Sequence, residues 1–169
     1  SEVCRLASAF GCNVLAYNRS EKEDLEKIGV KYVDLDTLLQ KSDVVSIHLP
    51  QNESTIGLMS REKIALMKST AILVNAARGP IVDNKALAEA LYAGKLAGAG
   101  VDVFDSEPPL PEAYALLKAP NTVLTPHIGF ATKEAMVRRA HITFENITKW
   151  IDGTPQNLVC LLYTSPSPR

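Results

Sequence analysis

Six short runs of aliphatic and β-branched residues, at 13–17, 31–33, 44–49, 71–75, 99–103 and 122–124, alternate with longer amphipathic stretches along this chain. Those stretches, at 2–10, 22–28, 35–40, 61–67, 84–93 and 132–151, carry the spacing of helices. Strand-sized segments separated by helix-sized ones form βαβ units, because neighbouring parallel strands need a long crossover and a helix supplies it. Several of the runs, AILVN at 71–75 among them, are apolar at nearly every position, as strands buried on both faces must be. The expected fold class is α/β, a doubly wound parallel sheet covered by helices on both faces.

Boundary signals agree with this division. Gly29 and Gly94 follow helical runs where a left-handed cap is wanted, and Ser60 precedes Arg61 as an N-cap, with Lys63 where a capping box would place Glu. The last helical stretch carries Met136, Ala140, Phe144, Ile147 and Ile151 on one stripe, which is expected to be buried as ordinary core packing, with Arg138, Lys149 and Asp152 exposed.

Charge and cysteine usage narrow the function classes. With 18 Lys and Arg against 19 Asp and Glu the formal net charge is -1, which provides no electrostatic footprint for nucleic acid or an anionic membrane surface. Cys4, Cys12 and Cys160 are scattered, with no CxxC pair and no His at ligand spacing, so no metal site is expected and a reducing cytoplasm is the expected compartment. No apolar run approaches the roughly 20 residues of a membrane helix. Both ends read as unnatural boundaries: Ser1 stands without a Met at the start of a pattern already helical through Val3, Leu6, Ala7 and Phe10, and 161–169, LLYTSPSPR, has no periodicity. The latter is read as an appended or disordered tail, and residues 1–160 as the folded part.

In an open parallel sheet every strand's carboxyl end lies along one edge, and ligands bind in the crevice outside it. Here those ends carry Asn18-Arg19-Ser20, His48-Leu49-Pro50, Asn75-Ala76-Ala77-Arg78-Gly79, Asp102 with Glu107 beyond it, and Pro126-His127-Ile128-Gly129. Each has a bland reading: Arg78 as a solvated loop charge, His48 and His127 as hydrogen-bonded strand-end residues, Glu107 as a turn residue before Pro108. Their shared placement on successive strands points instead to a site.

Arg, Glu and His at one edge suit hydride transfer to a 2-oxo acid. A guanidinium offers a carboxylate a planar fork, the role that fits Arg78. A carbonyl oxygen turning into an alkoxide needs a proton donor effective near neutral pH, which fits the imidazole of His127. A carboxylate beside an imidazole favours its charged form and fixes its orientation, and Glu107 is the candidate.

The segments NAARGPIVD at 75–83, GVDVFDSEPP at 100–109 and PHIGFAT at 126–132, in this order and spacing, resemble the D-isomer-specific 2-hydroxyacid dehydrogenases from Ser1 to about Val159. The resemblance implies a Rossmann-type NAD(P)-binding domain. It implies that Arg78 binds the substrate carboxylate and carbonyl, that His127 is the proton donor paired with Glu107, and that Asp102 meets the nicotinamide carboxamide. Leu49, Pro50, Ala76, Ala77 and Gly129 are implied on the nicotinamide side, with Arg78 and His127 also adjoining the cofactor, whereas Leu58, Met59 and Met67 read as core. Formate dehydrogenases of the same superfamily carry an amide at the position of Glu107, so an acid-base step is favoured here.

Two departures from the family pattern carry further expectations. The family's GxGxxG loop and the strand feeding it belong immediately before Ser1, and the substrate domain also falls outside this chain. The domain is therefore expected to be truncated at its N-terminus, with the strands near 13 and 44 lacking a partner, and to fold poorly alone. Where NAD-preferring members end the second strand with an acidic residue, this chain has Asn18, Arg19 and Ser20. Arg beside Ser can meet a 2′-phosphate, so NADP is slightly favoured over NAD.

The implied activity is hydride exchange between NAD(P)H and a small 2-oxo or D-2-hydroxy acid, as in hydroxypyruvate and glyoxylate reductases or phosphoglycerate dehydrogenase, in a homodimeric parent. The competing readings are a dinucleotide-sensing scaffold or corepressor built on the same fold, and an inactive fragment.

Overall fold

The computed structural model describes residues 2–106 and 109–158. The described elements run α1 (Glu2–Ala9), β1 (Leu15–Ala16), α2 (Glu23–Glu26), β2 (Lys31–Tyr32), α3 (Leu35–Lys41), β3 (Val44–Ile47), α4 (Arg61–Ala65), β4 (Ile72–Asn75), α5 (Asn84–Tyr92), β5 (Gly98–Val101), β6 (Thr122–Leu124) and α6 (Lys133–Ile151). Two short 3-10 helices, Gly79–Ile81 and Ala115–Lys118, join them. Every expected strand and helix is present, with its ends within a few residues of those expected and most elements shorter. The chain divides into two compact units, Ser1–His127 and Ile128–Arg169.

Local chemistry starts and stops these helices. Asp34, Ser60 and Asp83 accept hydrogen bonds from the backbone N–H of Thr37, Lys63 and Ala86, capping α3, α4 and α5. Asp34 also takes the Thr37 hydroxyl at 2.6 Å, and these bonds hold its carboxyl below the usual range. Gly29 and Gly94 end helical turns at φ +88° and +64°, a conformation that costs glycine little.

In the first unit all strand pairing is parallel: β1 pairs with β2, and β3, β4, β5 and β6 form a second sheet in that order. The crossover helices α4, between β3 and β4, and α5, between β4 and β5, pack against each other. Leu39, Leu73, Ile81, Leu87 and Leu116 are fully enclosed in one core, and Met59 and Met67 are buried as expected.

Among the described residues β1 pairs only with β2, and β3 only with β4. Both strands line one cavity of about 520 Å³, walled by Leu15, Leu25, Leu38, Val45 and Ile47. The strands near 13 and 44, each expected to lack a neighbour, thus each have one partner and, among the described residues, one open edge, and both border the same cavity. Sheet edges of this kind leave backbone groups available for pairing.

The second unit departs from expectation. Thr132 caps α6 by accepting from the Ala135 N–H at 3.1 Å, and Arg139 lies over the Phe130 ring at 5.0 Å. No residue of α6 is buried, and Met136, Phe144, Ile147 and Ile151 are all exposed. Periodicity makes the helix amphipathic, but burial needs a second surface, and α6 is the one helix among the described residues of this unit. The expected tail at 161–169 lies outside the described residues. No helix among the described residues is long and apolar enough to cross a membrane.

Leu73 is wholly buried in the central strand β4, whereas Val123 of β6 is 69% exposed. Leu73→Ala is therefore expected to lower unfolding free energy by about 3 kcal/mol, and Val123→Ala by less than about 0.5 kcal/mol, as measured by urea denaturation.

Candidate active site

The parallel register pairs Ile47 with Asn75, Asn75 with Val101, and Val101 with Leu124, so the last residues of β3 to β6 form one row. The residues that follow, His48, Ala76, Asp102 and Thr125, begin the loops of a single edge. The ladder reaches slightly beyond the strands, since the Asp102 N–H donates to the Asn75 carbonyl at 2.9 Å and the Thr125 N–H to the Val101 carbonyl at 3.0 Å. Adjacent strands lie about 4.8 Å apart, so β4 and β6, flanking β5, deliver Arg78 and His127 from strand ends about 10 Å apart.

At the end of β4, Asn75 is 1% exposed, and its side chain closes the turn. Its Oδ1 accepts from the Ala77 N–H at 3.1 Å, and its Nδ2 donates to the Arg78 carbonyl at 3.0 Å. Arg78 is exposed, with one guanidinium nitrogen donating to the Ala77 carbonyl at 2.6 Å. It forms no ion pair among the described residues, which leaves its fork available to an anion.

Gly79 seats this turn against the segment after β5. A Cβ at Gly79 would overlap the Phe104 carbonyl and the Asp105 nitrogen. Phe104 in turn meets the edge of Tyr114, ring centroids 5.8 Å apart and 86° between planes, and the Tyr114 hydroxyl donates to Asp105 at 2.6 Å. Burial, followed by the bond to Asp105, pushes the Tyr114 phenol far up, so it stays a neutral donor. Glu107, two positions after Asp105, lies outside the described residues.

Beyond β6 the chain turns sharply. The His127 N–H donates to the Thr125 carbonyl at 3.0 Å, closing a γ-turn around Pro126, and His127 itself stands at φ +57°. Left-handed backbone is costly for a residue with a Cβ and marks a position that the surrounding structure over-determines. Asp102 is only 8% exposed, and its carboxylate accepts from the Thr125 hydroxyl at 2.5 Å.

On the other side, Asn18 and Leu49 line the cavity at its strand-end side together with Tyr17 and His48. The Asn18 amide donates to the Ser20 carbonyl at 3.1 Å, while Arg19 and Ser20 are exposed. His48 shares a 2.9 Å hydrogen bond with the Ser46 hydroxyl; solvent reaches it, yet the cavity walls desolvate it enough to lower its pKa. The Pro50 carbonyl is taken by the Thr55 hydroxyl at 2.7 Å, tying down the loop after β3.

Asn18, Leu49, Ala76, Ala77, Arg78, Asp102 and His127 thus all follow carboxyl ends of parallel strands within the first unit. Gly129 belongs to the second unit and is exposed. A chain whose sheet edge carries an exposed guanidinium, a buried carboxylate and a half-buried imidazole after successive strands is matched by the family model described as D-isomer specific 2-hydroxyacid dehydrogenase, NAD binding domain, over residues 1–129. The chain belongs to this dehydrogenase family.

Among its relatives, D-3-phosphoglycerate dehydrogenase of Archaeoglobus fulgidus is 47% identical, over 98% of this chain and 32% of the relative. Glyoxylate reductase of Korarchaeum cryptofilum is 46% identical, over 93% of this chain and 48% of the relative. The chain therefore spans half or less of these curated dehydrogenases. The crystal structure of D-lactate dehydrogenase from Aquifex aeolicus, complexed with NAD and lactic acid, superposes with a TM-score of 0.85 at 34% identity, over 90% of this chain and 50% of that one.

Four residues of this dehydrogenase domain to which sequence reasoning assigned no role shape the edge: Asn75, Gly79, Tyr114 and Thr125. Asn75 was legible, since a polar residue ending the apolar run ILVN has to find buried partners. Gly79 stands inside a quoted motif, but the close approach it permits is a long-range contact. Nothing in the sequence distinguishes Tyr114 or Thr125 from ordinary loop residues.

Gly79→Ala is expected to destabilise the protein by about 3 kcal/mol, because the backbone it meets cannot yield as a side chain would. Gly100→Ala, whose new methyl would meet only Val74 methyls at 3.9 Å, should leave the urea midpoint nearly unchanged.

Proposed function

We propose that this chain is the dinucleotide-binding part of an NAD(P)-dependent oxidoreductase that interconverts a small 2-oxo acid and the D-2-hydroxy acid. Hydroxypyruvate, glyoxylate and 3-phosphohydroxypyruvate, the oxo partner of 3-phosphoglycerate, are the substrates in view. The observation that carries the reading is the delivery of Arg78, Asp102 and His127 from neighbouring parallel strand ends.

The residues present suit a nicotinamide dinucleotide. The buried Asp102 carboxylate is an acceptor matched to a primary amide, Leu49, Pro50, Ala76 and Ala77 offer small or apolar walls, and Asn18, which lines the cavity beside Leu49, brings an amide able to bond a ribose hydroxyl. Gly129 is assigned to the same nicotinamide side by family resemblance. When bound, the cofactor supplies the hydride. Arg78 holds the substrate carboxylate in its fork and adjoins the carbonyl oxygen. His127 donates a proton to that oxygen as it gains charge, and takes one back in the oxidation direction. Glu107 pairs with the imidazole and keeps it oriented. The backbone of Arg78 is held by the Asn75 turn and that of His127 by the γ-turn at Pro126.

The same reading makes the intact enzyme a cytoplasmic homodimer with no nucleic-acid or membrane partner. It is supported by the balanced net charge of -1 and by the exposed apolar residues Val3 and Leu6 of α1 and Phe10 just after it.

In the full-length protein, Arg78→Gln is expected to raise the KM for the 2-oxo acid about a hundredfold while leaving the KM for the reduced cofactor within about twofold, since a bidentate charge pair is lost. His127→Gln should lower kcat by about 10²–10⁴-fold. Wild-type turnover in either variant would overturn these assignments.

NADP is the slightly favoured cofactor. Arg19 is exposed beside Ser20 and unpaired among the described residues, and Asn18 brings no negative charge against a 2′-phosphate. Arg19→Ser is expected to raise the KM for NADPH about tenfold and to leave that for NADH unchanged, because one charge-assisted hydrogen bond is removed. A strong NADH preference in the unaltered enzyme would exclude this cofactor choice.

A further inference from the structure

Thr125 makes three bonds with three different jobs. Its N–H donates to the Val101 carbonyl at 3.0 Å, continuing the β5–β6 ladder. Its carbonyl accepts the His127 N–H at 3.0 Å and so closes the turn that sets the imidazole. Its hydroxyl is placed 2.5 Å from Asp102 Oδ1. An ionised carboxylate only accepts, so the single hydroxyl proton must point at Asp102.

Asp102 is thereby held from both sides. Its backbone N–H is tied to β4 through the Asn75 carbonyl at 2.9 Å, and its side chain is tied to β6 through Thr125. The residue is 8% exposed, in a setting where a short charge-assisted hydrogen bond fixes a rotamer firmly. A carboxylate that accepts an amide N–H from a ligand gains selectivity only if its second lone-pair direction is already aimed, because ordering it on binding would cost affinity.

We propose that Thr125 is a positioning residue: its hydroxyl aims the buried Asp102 carboxylate at the carboxamide of the nicotinamide, and so makes the site selective for the amide. The same residue sets the backbone of His127, so amide recognition and proton donation share one support on β6. The inference rests on the reading of Asp102 as the carboxamide partner.

The test uses the full-length protein and equilibrium binding rather than turnover. Affinities are measured by titration calorimetry for oxidised NAD or NADP, whichever binds more tightly, and for its 3-acetylpyridine analogue. The acetyl group keeps the carbonyl but has no N–H to donate. Thr125→Val, Thr125→Ser and Asp102→Asn are compared with the unaltered protein, and Thr125→Ala replaces the Val variant if the latter does not fold.

The unaltered protein should prefer the carboxamide form about tenfold, the value of one well-placed hydrogen bond. Thr125→Val should erase most of that preference, weakening the carboxamide form about tenfold and the acetyl form less than twofold, while Thr125→Ser retains the preference. Equal weakening of both dinucleotides in Thr125→Val would mean a merely structural hydroxyl, and an unchanged preference would mean no role; either overturns the proposal. If Asp102→Asn abolishes the preference while Thr125→Val keeps it, the Thr125 inference falls and the Asp102 reading stands. Absence of any preference in the unaltered protein overturns both.

Discussion

The row formed by Ile47, Asn75, Val101 and Leu124 is the constraint on which this site depends. In a parallel ladder the hydrogen bonds repeat evenly and the strands all point one way, so one register aligns every loop that follows. A slip of one residue in β5 would turn Asp102 out of its buried position and exchange the faces of the whole strand. Apolar side chains buried in the sheet, Leu73 and Val101 among them, fix that register and so decide which residues stand at the edge.

Above that row the loops are held by specific backbone devices. Asn75 replaces missing backbone partners within a tight turn, Gly79 lets two loops touch backbone to backbone, and Pro126 supports a turn that places His127 in a left-handed conformation. The left-handed conformation at His127 costs about 1–3 kcal/mol and persists where surrounding contacts over-determine it. The ladder of four strands supplies part of that support, through the bonds that tie Asp102 to Asn75 and Thr125 to Val101.

Much of the fold was legible in the residues. The alternation of apolar runs and amphipathic stretches reflects two different periodicities, and both survive in the structure with their ends displaced by a few residues at most. The helix stops at Gly29 and Gly94 were readable because few other residues tolerate positive φ. The stripe on α6 was readable as amphipathic but not as exposed, since periodicity reports which face is apolar and says nothing about whether another surface covers it. Likewise the open edges of β1 and β3 followed from comparing motif positions, whereas the cavity between them appears only in three dimensions.

By itself the sequence determined the α/β alternation, the strands that end in Asn75, Asp102 and His127 loops, and the residue types able to bind a carboxylate and move a proton. Tertiary structure alone decided that the Thr125 hydroxyl reaches Asp102, that Gly79 rests on Phe104, and that Tyr114 holds Asp105. The physical reason is range. Periodicity, caps and turn preferences arise from neighbours along the chain, while a hydrogen bond between residues 23 positions apart exists only after the strands that carry them have paired.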